Sequence, residues 1–159
     1  MANRIRLPKT NLEVSPICLG GNVFGWSANK DESFAVLDAF VAAGGNFIDT
    51  ADVYSEWVEG HVGGESETIL GQWMAARGNR SEIIIATKVS MLSTRSGLSR
   101  ANILAAVEDS LRRLQTDYID LYYAHRDDAD TPLEETLGAF DELVKAGKVR
   151  NLGASNYVG

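Results

Sequence analysis

The sequence is poor in the residues that build disulfide and metal sites. It contains one cysteine, Cys18, which excludes an intrachain disulfide framework and fits a reducing cytosol. Because Cys18 lies in an apolar run, we predict that it is a small buried core residue. With only two histidines beside that cysteine, we expect no zinc site and no other metal site.

Basic residues are also few. The chain has 15 Lys and Arg against 22 Asp and Glu, which gives a net charge of −7. Phosphate binding needs clustered basic side chains, so we do not expect nucleic acid as a partner.

Long hydrophobic runs are missing as well. No run approaches the roughly 18 apolar residues that a membrane-spanning helix needs, and residues 1–6 lack the apolar stretch of a signal peptide. We therefore expect a cytoplasmic protein without membrane insertion. What the sequence does have is 159 residues, 45% of them hydrophobic, which suffice for a packed core. We predict that residues 1–159 form a single domain.

The hydrophobic pattern alternates between strand-like and helix-like stretches. Two short segments, residues 4–7 and 12–14, flank a turn and predict a β-hairpin near the amino terminus. Short apolar runs that suit buried strands follow at residues 17–19, 46–48, 83–86, 118–123 and 149–154. Between these runs, apolar residues at helical spacing predict four helices over residues 31–43, 66–78, 99–114 and 131–146.

Polar residues at three of the predicted helix starts fit capping patterns. Ser66 and Ser99 are the predicted N-caps of the second and third helices. Thr131, followed by Pro132 and Glu134, has the spacing of a capping box for the fourth helix.

The alternation of strands and helices implies parallel strands joined by right-handed helical crossovers. An open doubly wound sheet and part of a closed eight-stranded barrel both fit this order. Polar residues help to choose, because Asp49, Lys88, His125, Ser155 and Asn156 all follow directly after strands. A doubly wound sheet gathers its site at one switch point, whereas a barrel collects residues from many strand ends. We therefore predict an α/β fold built as part of a (β/α)8 TIM barrel.

Four of the residues near strand ends form a candidate proton-donating site. Asp49, Tyr54, Lys88 and His125 are expected on one rim of the barrel. A free tyrosine has a pKa near 10, too high for efficient acid–base work at neutral pH. We expect the ammonium group of Lys88, held by the Asp49 carboxylate, to lower that pKa. Each residue alone also suits a structural role, but together and in this order the four favour a site.

Five motifs carry a resemblance to a known family. They are residues 44–51 with Tyr54, 64–67, 85–88, 117–122 with His125, and 147–150 leading to 153–156. In this order and over essentially the whole chain, they resemble the aldo-keto reductase family. The resemblance implies a (β/α)8 barrel and NADPH-dependent reduction of aldehyde or ketone carbonyls to alcohols.

The resemblance also implies roles for individual residues. Asp49, Tyr54, Lys88 and His125 would form the catalytic tetrad, with Tyr54 as the general acid and His125 orienting the carbonyl oxygen. Further residues would contact NADPH, namely Gly20, Gly21 and Asn22 beside the nicotinamide ribose, Asp49, and Ser155 and Asn156 at the carboxamide. Independently of the resemblance, the positions of Trp26 and Trp57 on loops of the same rim suit either the lining of a substrate pocket or simple loop packing.

The length departs from the family pattern. A complete barrel needs about 250 residues, so the chain resembles the first half, with five strands and four helices after the hairpin. We expect it to pair with a complementary C-terminal half-barrel chain, or to self-associate through its open edges. The alternatives to an enzyme are a non-catalytic cofactor-binding or accessory subunit and an inactive half-barrel fragment.

Overall fold

The structure, a computed structural model, describes residues 3–157 and contains two sheets. Strands β1 (Ile5–Arg6) and β2 (Glu13–Val14) pair antiparallel, with Ile5 opposite Val14, which confirms the predicted hairpin. The second sheet is parallel, and its strand order follows the chain. Its five strands are β3 (Cys18–Gly20), β4 (Phe47–Asp49), β5 (Ile84–Val89), β6 (Leu121–Ala124) and β7 (Leu152–Ala154).

A helix connects each strand of the parallel sheet to the next. The four helices are α1 (Lys30–Ala42), α2 (Glu65–Arg77), α3 (Arg100–Leu114) and α4 (Leu133–Lys145). A short 3-10 turn, Arg80–Glu82, leads into β5. This confirms the predicted α/β fold, which matches the first half of a TIM barrel. Within residues 3–157, the helices are too short or too polar for any of them to cross a membrane.

Alternate residues of each strand face two different environments. On β5, Ile85 and Val89 belong to the large apolar core between the sheet and the helices. Ala86 faces the other way and packs with Leu12 and Val14 of the hairpin. The hairpin therefore covers part of the inner face of the sheet, and the rest of that face is open to the site described below.

Helix starts differ from the predictions in three places. The predicted cap Ser99 is confirmed, because its hydroxyl accepts a hydrogen bond from the Asn102 backbone N–H. The cap of α1 was missed: Asn29 forms a full capping box with Glu32. The predicted cap Ser66 is wrong, since Gly64 occupies the cap position and Ser66 lies inside α2.

The capping box predicted at Thr131 is also wrong. The Thr131 hydroxyl donates to Asp128 Oδ2 at 2.7 Å instead of reaching the helix. The position before α4 is occupied by Pro132, whose side chain cannot accept a hydrogen bond. The Thr131 hydroxyl, which was predicted to cap the helix, is therefore hydrogen-bonded to Asp128 in the preceding loop.

The amino-terminal ends of β5, β6 and β7 are held by one buried acid. Asp120 accepts hydrogen bonds from Arg80 Nη2 at 2.8 Å, Ile85 N at 3.0 Å and Arg150 Nη1 at 3.2 Å. The two guanidinium groups also lie over the Tyr118 ring, 4.0 and 3.6 Å from its centroid. These charge-assisted contacts fix the end of the sheet opposite the candidate site.

Cys18 was predicted to be buried, but it is exposed. It lies on β3, which has a strand neighbour on one side only in the described sheet. A residue on such an edge strand loses one of the neighbours that would cover it.

Candidate active site

Three of the predicted site residues meet in one hydrogen-bonded group. Lys88 Nζ donates to Asp49 Oδ2 at 2.7 Å, to the Thr50 carbonyl oxygen at 2.8 Å and to the Tyr54 hydroxyl at 2.9 Å. The Tyr54 hydroxyl in turn donates to Asp49 Oδ2 at 3.1 Å. All three ammonium protons of the buried Lys88 therefore have partners.

The parallel register explains why these side chains meet. Asp49, at the end of β4, pairs with Ala86 of β5. Lys88 lies two residues further along β5 and therefore on the same face of the sheet. After Asp49, at the end of β4, the chain turns back. In this turn the Asp52 N–H donates to the Lys88 carbonyl and the Tyr54 N–H donates to the Ala51 carbonyl. This turn brings the phenol over Lys88.

The pKa of Tyr54 departs from the sequence-based expectation. Lys88 was expected to lower it, but burial raises the pKa of Tyr54 above its ordinary value, and the charge of Asp49 and the hydrogen bond to it raise it further. The expectation was wrong because the ring is buried, and because the Asp49 carboxylate shares the site and accepts a hydrogen bond from the phenol. Tyr54 therefore stays protonated at neutral pH.

The pKa values of Lys88 and His125 are both lowered. Burial lowers the pKa of Lys88, and the charge of Asp49 partly opposes this. Burial, followed by the charge of Lys88, lowers the pKa of His125 to about 4. The imidazole is therefore neutral at neutral pH.

His125 lies beside the hydrogen-bonded group without joining it. Its ring centroid is 6.1 Å from that of Tyr54, and the rings meet edge to face. Within residues 3–157, its Nδ1 atom is buried and makes no hydrogen bond. His125 follows directly after β6. Its backbone N–H donates to the carbonyl of Val89, the last residue of β5, and this bond fixes the position of His125. The four residues predicted as a tetrad thus share one rim.

The residues predicted to contact a cofactor lie on the same rim. Gly20 ends β3 and Asn22 is exposed, while Gly21 is buried and donates its N–H to the Asp49 carbonyl at 2.7 Å. A side chain at Gly21 would come within 3.0 Å of that carbonyl and of Ser66 Oγ. Ser66 Oγ donates to the Gly21 carbonyl at 2.7 Å, so the residue joins α2 to this loop rather than capping its helix.

Ser155 and Asn156 follow β7 and reach towards the histidine. Asn156 has a left-handed backbone, with φ 56°. Its side-chain amide donates to the His125 carbonyl and to Ser155 Oγ, both at 2.9 Å. These bonds hold a hydroxyl and a carboxamide next to His125, at an exposed part of the rim.

Two indoles extend the site away from the tyrosine. Trp26 and Trp57 are 43% and 54% exposed, and their ring centroids are 5.9 Å apart in an edge-to-face contact. Trp57 also contacts Tyr54 edge to face, with centroids 6.2 Å apart. The Trp26 indole N–H donates to the Asn22 carbonyl, which fixes its orientation. Together with His125, these residues form a continuous aromatic row, which we call the aromatic wall.

Comparison with known proteins decides the family. The sequence model described as "Aldo/keto reductase family" matches residues 16–158. The chain belongs to the aldo/keto reductase family. This confirms the resemblance that the five sequence motifs carry, and it agrees with the half-barrel topology.

Several curated aldo/keto reductases are similar over nearly the whole chain. Norsolorinic acid reductase stcV of Emericella nidulans is 42% identical, over 97% of this chain and 42% of its own length. Aryl-alcohol dehydrogenase [NADP(+)] of Phanerodontia chrysosporium is 40% identical, over 94% of this chain and 42% of its own length. Norsolorinic acid reductase A of Aspergillus parasiticus is 40% identical, over 97% and 42%. The chain therefore spans about two-fifths of the length of these relatives.

Sequence reasoning missed two features of this aldo/keto reductase site. The Thr50 carbonyl accepts a hydrogen bond from Lys88, and no sequence pattern reveals a contact that is made by a backbone atom. Asp52, a second acid between Asp49 and Tyr54, is buried rather than solvated. Its position between Asp49 and Tyr54, two predicted site residues, was a signal in the sequence that could have identified it.

Proposed function

We propose that this chain carries the catalytic site of an NADPH-dependent oxidoreductase that reduces aldehyde or ketone carbonyls to alcohols. The observation that carries the proposal is the Tyr54 hydroxyl, which contacts both an acid and an ammonium group. The raised pKa makes this phenol a weaker acid, but an alkoxide is a still stronger base than a phenolate. A protonated phenol on an open rim, with a cation at 2.9 Å to stabilise the phenolate, can therefore give its proton to a developing alkoxide.

Each neighbour of Tyr54 has a part in that proton transfer. When Tyr54 gives up its proton, the phenolate that remains faces the Lys88 ammonium group, which stabilises it. Asp49 holds the ammonium group in place from the other side, at 2.7 Å. The neutral imidazole of His125 can donate one hydrogen bond to the carbonyl oxygen and orient it towards Tyr54.

The residues present fit the nicotinamide end of the cofactor. A carboxamide needs both hydrogen-bond donors and acceptors, and Ser155 and Asn156 supply both beside His125. Gly20, Gly21 and Asn22 form the loop next to Asp49, where a ribose would lie. When bound, NADPH would supply the hydride that adds to the carbonyl carbon. The choice of NADPH is supported by the NADP(+) named for the aryl-alcohol dehydrogenase relative.

The aromatic wall supports an aromatic carbonyl compound as the substrate class. Exposed indoles at Trp26 and Trp57 offer flat apolar surfaces that lead to the Tyr54 hydroxyl. Aromatic rings pair favourably with such surfaces, by about 0.5–1.5 kcal/mol beyond the area they bury. The name of one relative, which refers to an aryl alcohol, agrees with this class.

The substitution Trp57→Ala tests the substrate class. We expect kcat/KM for an aromatic aldehyde to fall about tenfold, which corresponds to the ~1.4 kcal/mol of one lost aromatic contact. A short aliphatic aldehyde, which is too small to reach the indole from Tyr54, serves as the matched control and should lose much less. Equal losses for the two aldehydes would show that Trp57 only packs the loop.

The edges of the sheet support a further proposal about assembly. Within the described sheet, β3 and β7 each have one strand neighbour, and Ile17 beside β3 is 71% exposed. Unpaired edges next to apolar side chains favour pairing with further strands. We propose that additional strands cover these edges, supplied by the rest of a longer polypeptide, by a complementary chain or by a second copy. This chain together with those strands is called the assembled protein below.

Turnover by the assembled protein tests the proposed function. We expect an aromatic aldehyde to cause consumption of NADPH and formation of one equivalent of the alcohol. The chain of 159 residues alone should show little turnover and a native mass above that of a monomer. Binding of NADPH without turnover in the assembled protein would instead identify a non-catalytic accessory subunit. A stable, active monomer of 17.3 kDa would contradict the proposal about assembly.

A further inference from the structure

One buried acid of the site segment takes no part in the proton transfer described above. Asp52 lies between Asp49 and Tyr54, and it is 2% exposed. Within residues 3–157, its Oδ1 atom makes no hydrogen bond. A buried carboxylate is costly unless it is paired, so this acid needs an explanation.

Arg113, whose charge acts on Asp52, hydrogen-bonds a different acid. Arg113 Nε donates to Glu67 Oε2 at 2.6 Å, and the other carboxylate oxygen of Glu67 accepts from the Thr87 hydroxyl, also at 2.6 Å. Glu67 is fully buried, so Arg113 compensates an acid that lies inside the protein. Glu67 adds a negative charge near Asp52. Within residues 3–157, Arg113 Nη2 makes no hydrogen bond, so this guanidinium does not bridge to the Asp52 carboxyl.

Groups from every neighbouring element act on the Asp52 carboxyl. These groups are Glu67 of α2, Arg113 of α3, Arg95 of the loop before α3, Lys88 of β5 and Tyr122 of β6. Burial is the largest influence, and with the charge of Glu67 it raises the pKa of Asp52 to about 7. Arg113, the Val53 backbone N–H and Arg95 oppose this rise only in part. The carboxyl is therefore neutral in mildly acidic solution and charged in alkaline solution.

The segment that carries Asp52 has little freedom to adjust. The Asp52 N–H donates to the Lys88 carbonyl at 3.2 Å, and the Tyr54 N–H donates to the Ala51 carbonyl at 3.3 Å. Three residues on, the Ser55 hydroxyl donates to the Phe24 carbonyl at 3.2 Å. Because Ala51 and Ser55 are completely buried, a movement of Asp52 cannot be absorbed within the segment and is transmitted to Tyr54.

We propose that Asp52 is a positioning residue for Tyr54. While its buried carboxyl carries a proton, the segment from Asp49 to Tyr54 stays packed against α2. When that proton is lost to solvent, the new charge beside Glu67 pushes the segment outward and moves the Tyr54 hydroxyl away from Lys88. The catalytic consequence rests on the proposed role of Tyr54, but the movement itself does not.

The sign of the effect on stability follows from the direction of the shift. The folded-state pKa of Asp52 is raised from 3.8 to about 7, so the folded protein binds this proton more tightly than the unfolded chain does. The stabilisation is fully present below pH 4 and is lost as the pH rises through about 7. We therefore expect the segment to be well packed at pH 6 and loosened at pH 8.

Carbon-13 NMR of labelled tyrosine rings tests the coupling without substrate or cofactor. The chain has five tyrosines, and their signals can be assigned by substituting each with phenylalanine. The ring signal of Tyr54 should shift between pH 5 and pH 8.5 with a midpoint near 7, and Tyr122 should follow it. Tyr118, in contact with Arg80 and Arg150 at the opposite end of the sheet, should not shift.

Two variants complete the experiment. Asp52→Asn keeps the size of the side chain without the charge, and it should abolish the titration of Tyr54 and leave the signal at its low-pH position. Asp117→Asn, an exposed acid in the loop before β6, should leave the titration unchanged. A Tyr54 signal that does not move, or one that moves identically in Asp52→Asn, would overturn the proposal. A titration confined to Tyr122 would overturn it too, because Asp52 would then change charge without moving Tyr54.

Discussion

Replacing Tyr54 with phenylalanine is expected to lower turnover of the assembled protein by a factor of about 100 to 10,000, the usual range for loss of a general acid. Phenylalanine keeps the ring and its contacts with Trp57 and His125 but has no proton to give. The Lys88 ammonium group retains Asp49 and the Thr50 carbonyl, so the rest of the site keeps its geometry. Affinity for NADPH should therefore change little, and the loss should appear in kcat.

Tyr118→Phe is the matched control for that experiment. It removes the same hydroxyl from a ring at the opposite end of the sheet, where the contacts with Arg80 and Arg150 involve the ring face. Its turnover should equal that of the unaltered protein. Full activity of Tyr54→Phe would show that another group protonates the substrate. Loss of both turnover and NADPH binding would instead point to damage to the rim.

Replacing Gly71 with alanine is expected to destabilise the fold, although alanine is the better helix former. A Cβ atom at Gly71 would collide with the Arg113 carbonyl oxygen and lie within 2.8 Å of the Leu114 carbonyl carbon. Both atoms belong to the backbone of α3 and cannot rotate away, so α2 and α3 must separate. Overpacking of this kind costs about 3 kcal/mol, while the gain in helix propensity is only about 1 kcal/mol. The free energy of unfolding should fall by the difference, about 2 kcal/mol.

The same substitution at Gly138 should have the opposite sign. Gly138 lies inside α4, and a Cβ atom there would meet no other atom within 4 Å. Only the propensity gain remains, so the free energy of unfolding should rise by up to ~1 kcal/mol. Urea unfolding of both variants, followed by circular dichroism, measures the two changes. A stabilised Gly71→Ala variant would mean that the two helices are not in close contact.

The sequence predicts the fold because its local and long-range signals agree. The run 83–86 is β-branched and uninterrupted, and it became the longest strand of the sheet. The run 118–123 was predicted as a strand from its start, yet β6 begins only at Leu121. The ladder is interrupted at Asp120, whose carboxylate accepts hydrogen bonds from Arg80 and Arg150, while Ile119 before it still forms a parallel bridge with Val149. Such a bond between distant residues has no local sequence pattern.

The positions of the site residues were predictable, whereas their protonation was not. Asp49 and Lys88 each stand on a strand that is recognisable by its apolar residues, and parallel strands end on the same rim. The direction of the Tyr54 pKa depends on how deeply the ring is buried and on which oxygen accepts its hydrogen bond. The same holds for Asp52, whose pKa reflects a carboxylate on α2 that lies 15 positions away in the sequence. Burial and distance become known only with the fold.

The order of the strands also bears on how the chain folds during its synthesis. From β4 onward, each strand of the parallel sheet pairs with the strand that precedes it in the chain. When a new strand leaves the ribosome, the strand with which it pairs has therefore already been synthesised. The amino-terminal hairpin is the exception, because Leu12 and Val14 pack against Ala86 and Leu121, which are translated much later. The hairpin is synthesised before the strands against which it packs, so it is among the last of these elements to reach its final place.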